Sequence, residues 1–234
     1  MPFQIRKTAD GSDTILIPAL EEHYHSIYGA IQEARHVFIN AGLKAISEHI
    51  NPVNILEVGL GTGLNCFLTF LENQSFPTPG DAGVIRDPRY ICYTAIEAYP
   101  LDNDLVFKLN YLEKLNESKS AEIFTAFHHS PWNQKNKITE RFDLTKLSIK
   151  LADFLPVPGV VFDLIYFDAF GPKAQPEMWT EEVFEKMYSA LKPGGILVTY
   201  CAKGEVKRTL KSVGFRVETL PGPPGKREMT RGVK

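Results

Sequence analysis

Hydrophobic and polar positions in this chain follow two periods, and the switches between them lay out its elements. Phe3-Gln4-Ile5 and Thr14-Ile15-Leu16-Ile17 flank the turn-forming Asp10-Gly11-Ser12-Asp13, which predicts a β-hairpin over residues 3–19. Over residues 29–50, Ile31, Ala34, Val37, Phe38, Ala41, Ala45 and Ile46 recur at helical spacing, with a break at Asn40-Ala41-Gly42 and a stop at Pro52. From there short apolar runs at 54–58, 90–96, 162–167 and 195–200 predict strands. Helix-periodic segments at 64–71, 105–115, 181–191 and 204–213 alternate with them. Residues 142–149 predict an edge pair of strands, and residues 215–220 alternate as a strand that closes the sheet. Such alternation implies an α/β, Rossmann-like fold: a mostly parallel, twisted sheet with helices on both faces, extended by the N-terminal hairpin. Residues 1–50 are expected to pack as hairpin and helix on the core, and 51–234 to form one globular unit. Two stretches interrupt the pattern. Residues 73–89, rich in Pro, Gly and Asp, predict an inserted loop, and 221–234 predict a Pro/Gly tail carrying Lys226, Arg227 and Arg231.

Composition narrows the picture little. A formal net charge of -2 over 234 residues means that any attraction to phosphate must come from a local patch. Cys66, Cys92 and Cys201 are odd in number and widely spaced, which predicts reduced core thiols and neither a disulfide framework nor a zinc site. His23, His25 and His36 lie close together without a set of partner ligands, so no metal is expected. No signal-peptide core follows the charged N-terminus, and no apolar run approaches the ~18–20 residues of a membrane span. The expected compartment is the cytoplasm.

The candidate chemistry begins at Glu57-Val58-Gly59-Leu60-Gly61-Thr62-Gly63, between a predicted strand and a predicted helix. Gly59 and Gly61 permit a tight turn with no side chain toward a ligand, and the following helix presents free N–H groups. Open α/β sheets bind ligands at this place, outside the carboxyl ends of the strands. A glycine triple alone also suits a dinucleotide. The G-x-G-x-G spacing and the preceding Glu57 favour S-adenosylmethionine, because a carboxylate suits the ammonium end of methionine and repels a pyrophosphate. Glu97, ending the second predicted strand, is placed for ribose hydroxyls, and Asp153 for an adenine amino group. Asp168 follows the run 162–167, which is apolar enough to be buried on both faces. Its carboxylate is therefore expected to face the ligand crevice. Methyl transfer is an in-line displacement that an enzyme promotes mainly by alignment. An amine acceptor must also lose a proton, and Asp168 can orient it and take that proton. Phe170 can stack on the acceptor or exclude water, while Asp163, inside the strand, reads as structural.

Tyr166-Phe167-Asp168-Ala169-Phe170, with Pro172-Lys173 and Pro176-Glu177-Met178-Trp179-Thr180, resembles the methyltransferase domain of the bifunctional bacterial tRNA wobble-uridine enzyme MnmC. So do Leu191-Lys192-Pro193-Gly194-Gly195, Pro224-Gly225-Lys226-Arg227-Glu228-Met229 and, upstream, Tyr28-Gly29 with Glu33-Ala34-Arg35-His36-Val37-Phe38-Ile39. The resemblance covers nearly the whole chain. The glycine loop is generic to methyltransferases; the Asp-Ala-Phe, Met-Trp-Thr and Lys-Arg-Glu-Met segments are more specific. It implies a Rossmann-like class I methyltransferase with S-adenosylmethionine as cofactor. The implied reaction methylates the 5-aminomethyl group of uridine at tRNA position 34, giving 5-methylaminomethyl-(2-thio)uridine. Glu57, Gly59, Gly61, Gly63, Glu97, Asp153 and Asp168 would line the cofactor site, with Asp168 nearest the amine. The chain ends soon after this region, so the FAD-dependent oxidase half is expected to be absent and the aminomethyl precursor to come from a separate enzyme. Residues 73–89 and 130–137 match no family motif.

A tRNA partner, engaged through its anticodon stem-loop, needs phosphate contacts and a pocket for a splayed-out base. Lys203, Lys207, Arg208 and Lys211 fall on one helical face, Lys226, Arg227 and Arg231 can extend it, and Trp179 and Tyr200 can stack on bases. The same residues read equally as a solvated face and as core aromatics. Arg35 and His36 approach the cofactor or the anticodon on the resemblance alone. Two other functions stay open: a methyl- or aminopropyltransferase acting on a small free amine, and a non-catalytic S-adenosylmethionine- or tRNA-binding partner of a modifying oxidase.

Overall fold

The computed structural model describes residues 3–74, 88–156 and 161–234. Strands β1 (Gln4–Lys7), β2 (Asp13–Ile17) and β3 (Glu22–His23) form a small antiparallel sheet, so the expected hairpin is present with one further strand. Its turn is held by Asp10, whose carboxylate accepts from the Ser12 N–H at 2.9 Å and the Thr8 hydroxyl at 2.7 Å. The helix expected over 29–50 is three short pieces: α1 (Ala30–Ala34), a π turn over Arg35–Asn40 and a 3-10 turn over Leu43–Ala45. The break falls at Gly42, where a Cβ would meet the Phe38 carbonyl oxygen at 2.3 Å.

The main sheet contains β4 (Val53–Val58), β5 (Ile91–Ile96), β6 (Lys135–Thr139), β7 (Phe142–Leu147), β8 (Phe162–Phe167), β9 (Leu191–Thr199), β10 (Arg216–Pro221) and β11 (Glu228–Val233). Their order is β10-β11-β9-β8-β4-β5-β7-β6. β9, β8, β4, β5 and β7 run parallel, β11 runs against both its neighbours, and β6 runs against β7. β4 has β5 on one side and β8 on the other, so the topological switch lies at its carboxyl end.

The helices are α2 (Leu64–Gln74), α3 (Asn103–Val106), α4 (Tyr111–Leu115), α5 (Ala121–His129), α6 (Glu181–Ala190) and α7 (Gly204–Ser212). The single helix expected over 105–115 is split into α3 and α4. Asp102 caps α3 by accepting from the Asp104 N–H, and Asn110 precedes α4 while exchanging hydrogen bonds with Asp13 of β2. Residues 142–149 hold one interior strand, not an edge pair: Phe142, Asp143, Leu144 and Lys146 are buried between β5 and β6. The tail 221–234 is a strand, β11, whose Met229 and Thr230 are fully buried. α5 and β6 were not anticipated at all. Of the loop expected at 73–89, residues 75–87 lie outside the described residues; at its margins the Asn73 amide donates to the Arg89 carbonyl at 2.7 Å.

β8 shows how the sheet divides the core. Leu164 and Tyr166 join the hydrophobic cluster on one face, with Ile55, Phe67, Phe38 and Ile15; Ile165 and Phe167 join the other, with Leu56, Phe184 and Met187. Asp163 is buried within the strand and is satisfied there by Lys192 at 2.6 Å and the Asn54 N–H at 2.8 Å. Cys66, Cys92 and Cys201 are free thiols. Among the described residues no helix is long and apolar enough to cross a membrane.

Candidate active site

β4 delivers Glu57 and then the turn from which α2 starts. Gly59, Gly61 and Gly63 have φ of 89°, 50° and 73°, values that strain any residue bearing a Cβ. The turn is also crowded: a Cβ on Gly59 would stand 2.7 Å from the Asp168 carbonyl oxygen, and one on Gly61 would stand 2.9 Å from the Tyr24 ring. Thr62 ties the turn to the N-terminal segment, its hydroxyl lying 2.8 Å from His25 Nε2.

Glu57 lies beneath the turn and is fully buried. Its carboxylate accepts from Asn65 Nδ2 at 3.0 Å and from the Tyr93 hydroxyl at 2.9 Å. Burial pushes this carboxyl well above the usual range, with the two hydrogen bonds opposing. Both oxygens are engaged from inside the protein and the side chain is fully buried, so Glu57 presents no free oxygen to the crevice, where its sequence position suggests a direct ligand contact. Asn65 Nδ2 also donates to Asp168 Oδ2 at 2.8 Å. One amide thereby joins the acid at the tip of β4 to the acid at the tip of β8.

The Asp168 N–H donates to the Val58 carbonyl at 3.0 Å, which holds this residue just past the end of β8 and beside the glycine turn. Burial, reinforced by Glu33, pushes its carboxyl up to about 7; the Asn65 hydrogen bond and Lys226 pull the other way. A carboxyl titrating near neutrality in a crevice is suited to proton transfer. Phe170 meets Tyr24 edge-on, with ring centroids 5.2 Å apart. A cavity of about 240 Å³ opens between residues 22–28, Asp168–Phe170, Tyr200 and the Gly225-Lys226 turn.

The other expected site residues divide. Glu97 follows β5 and flanks the turn, accepting from the Gly61 N–H at 3.0 Å. Asp153 is exposed, in a 3-10 turn beyond β7. Trp179 is 6% exposed and presents no face to a base. Its indole packs on Phe167 and donates to the Phe170 carbonyl at 2.8 Å, so it braces the Phe170 loop instead. The basic face is narrower than the sequence suggests. Lys207 pairs with Glu228 at 2.8 Å and Arg231 with Glu218, leaving Lys203, 3.6 Å from the similarly exposed Glu205, with Arg208, Lys211 and Arg227 exposed. Lys226 turns inward to Glu33. Among the described residues no group of three or more His, Cys, Asp or Glu is placed to hold a metal ion.

Sequence reasoning missed Asn65, Tyr24, Tyr93 and Glu33. Glu33 carries a signal only through the segment 33–39 that bears the family resemblance; Asn65 carries its own, as a polar residue among the apolar residues that open α2. It also supplies a test of ligand fit. Its Oδ1 is buried with no hydrogen-bond partner, an acceptor that a ligand N–H beside the turn can satisfy.

Fold and site define a ligand-binding α/β protein with a glycine cradle and an acid-lined crevice at the switch of its sheet. A family model described as S-adenosyl-L-methionine-dependent methyltransferase matches residues 116–234, and the chain belongs to that family. Its cofactor is S-adenosylmethionine, which the orphan acceptor and the cradle accommodate. The chain is 31% identical over 223 residues to the tRNA 5-methylaminomethyl-2-thiouridine biosynthesis bifunctional protein MnmC of Pseudomonas putida, covering 90% of this chain and 32% of that protein. The namesake from Magnetococcus marinus is 28% identical over 225 residues, covering 94% of this chain and 32% of its own. The chain thus spans about a third of the length of the curated relatives it matches. The crystal structure of MNMC2 from Aquifex aeolicus has the same fold, with a TM-score of 0.74 and 22% identity over 99% of this chain and 70% of that one.

Proposed function

We propose that this methyltransferase acts on the primary amine of 5-aminomethyl-(2-thio)uridine at tRNA wobble position 34, giving 5-methylaminomethyl-(2-thio)uridine. The observation that carries this reading is the placement of Asp168, whose backbone is fixed beside the glycine turn and which lines the aromatic-walled cavity there. The names of the bifunctional relatives and the resemblance around Asp168 support the substrate. In this reading residues 51–234 are the methyltransferase domain and 1–50 its extension. Gly59, Gly61 and Gly63 form the cradle, Glu57 acts through Asn65 on the methionine end, Glu97 takes the ribose and Asp153 reaches toward the adenine. When bound, S-adenosylmethionine supplies an electrophilic methyl group. Asp168 takes one proton from the acceptor ammonium and orients the freed lone pair; the N–C bond forms as the S–C bond breaks, and the product leaves as a secondary ammonium. Phe170, braced by Trp179, walls the acceptor. The exposed Lys203, Arg208 and Arg227 meet the anticodon stem-loop backbone, and a separate oxidising enzyme supplies the aminomethyl precursor.

The test is incubation with labelled cofactor and tRNA from cells that lack the final wobble methylation, read by nucleoside mass spectrometry. One methyl group on 5-aminomethyl-(2-thio)uridine is expected. Label on a free polyamine, with none on tRNA, would overturn the proposal. The pairing of Lys207 with Glu228 favours that second reading, a small free amine as acceptor. Salt separates the two: a tRNA enzyme loses affinity steeply as salt rises, and a small-amine enzyme does not.

The rate should depend on pH with a definite sign. Asp168 acts in its ionised form, so kcat/KM rises as pH passes through about 7. The Glu33 charge holds Asp168 up and Lys226 holds it down. Glu33→Gln should therefore move the acidic limb of the profile to lower pH, and Lys226→Met to higher pH. Shifts of the same sign in the two variants would remove Asp168 from the base role.

A further inference from the structure

The cavity that Asp168 faces already holds an ammonium group. Lys226, between β10 and β11, points inward; its Nζ is ion-paired with Glu33 of α1 and stands 3.8 Å from the centroid of the Tyr200 ring. The Glu33 side chain is 8% exposed, and its second oxygen accepts from the Ser26 N–H at 3.0 Å. The Tyr200 hydroxyl donates to the Ala169 carbonyl at 2.9 Å, which fixes the ring as a wall beside Asp168. A buried carboxylate on one side and an aromatic face on the other is the combination that recognises an alkylammonium. Lys226 reaches it on a flexible tether, and its side chain is 31% exposed.

We propose that Glu33 and Tyr200 form the subsite for the acceptor ammonium, and that Lys226 is a resident stand-in which the incoming primary ammonium displaces. This rests on reading the chain as a methyltransferase of a primary amine. An aliphatic amine is mostly protonated at neutral pH, in the manner of a lysine side chain. The subsite collects that abundant form, and Asp168 on the same cavity takes the proton. The role of Lys226 is thus electrostatic occupancy of the pocket, not contact with phosphate.

The test has a binding arm and a kinetic arm. In protein carrying 13C-labelled lysine, the Lys226 Cε resonance, assigned by its loss in Lys226→Met, should lie upfield because the Tyr200 ring shields it. Saturation with 5-aminomethyluridine should return it to the position of a free lysine, whereas uridine should leave it unmoved. In the kinetic arm, well above neutral pH so that Asp168 is ionised throughout, Glu33→Gln should raise the KM for aminomethyl-bearing tRNA by about tenfold or more, the loss expected for a charge-assisted hydrogen bond. Lys226→Met should lower that KM. A resonance unmoved by the aminomethyl nucleoside overturns the proposal. So does a KM raised by Lys226→Met with a shallower salt dependence, which marks a phosphate contact. If the wild-type protein transfers no methyl to that tRNA, the functional reading has failed, and the same resonance followed with ethylammonium chloride decides the subsite by itself.

Discussion

Asp168→Asn should lower kcat by about 10²–10⁴-fold, the usual contribution of a positioned acid–base group, while S-adenosylmethionine binding, followed by calorimetry, stays largely intact. The amide has the shape of the carboxyl and can still accept from Asn65 Nδ2, and the backbone hydrogen bond to Val58 is untouched. What it cannot do is take a proton. The same change should stabilise the fold above neutral pH. The Asp168 pKa is raised in the folded state from 3.8 to about 7, so between those values the folded protein holds more protons than the unfolded chain. Stability then falls as pH rises through that window, and above it the carboxylate is a standing penalty that the neutral amide removes. Turnover down and Tm up at pH 8 is the expected pair of results. Intact turnover, or a Tm lowered by the substitution, would show that this carboxyl is a structural cap and not the proton acceptor.

What the sequence discloses about this site is its local chemistry. The glycine turn is legible because strand, turn and helix follow one another and each glycine answers a backbone requirement within the segment. Asp168 is legible because six buried residues in a row define a central strand and the next residue must emerge at its tip. The elements that escape notice depend on distant partners. Lys226 and Glu33 are separated by 193 positions; each lies in a segment that carries the family resemblance, but nothing in either segment shows that the two side chains meet. Tyr24 covers the glycine turn from a distant segment, held by Ile15 of β2 and by Phe170, with its neighbour His25 bonded to Thr62. β11 has a weak apolar pattern, since pairing with β9 and β10 supplies what its own side chains do not. Trp179 shows the converse error. An aromatic beside a catalytic strand suggests a base platform, yet the apolar burial available against Phe167 and Phe184 outweighs exposure at the crevice.

The line Tyr93–Glu57–Asn65–Asp168 runs from the core to the crevice through direct hydrogen bonds. It links the glycine turn and Asp168, the proposed cradle and acceptor acid, into one unit, and Gly59 is where their backbones touch. Gly59→Ala should therefore damage both functions at once. Its φ of 89° strains an alanine by about 1–3 kcal/mol, and the added Cβ meets a backbone oxygen of Asp168 at 2.7 Å, which no rotamer change can relieve. The tip of β8 must move, carrying Asp168 away from Asn65. The expected result is a lowered Tm, cofactor affinity reduced by more than about tenfold, or 1.4 kcal/mol, and turnover reduced further still. Gly194→Ala separates strain from contact: its φ is also positive, at 79°, but nothing lies within 4 Å of the added carbon. That variant should lose stability through backbone strain and bind the cofactor normally. Equal cofactor affinity in the two variants would mean that the contact between Gly59 and Asp168 does not couple the cradle to the acid.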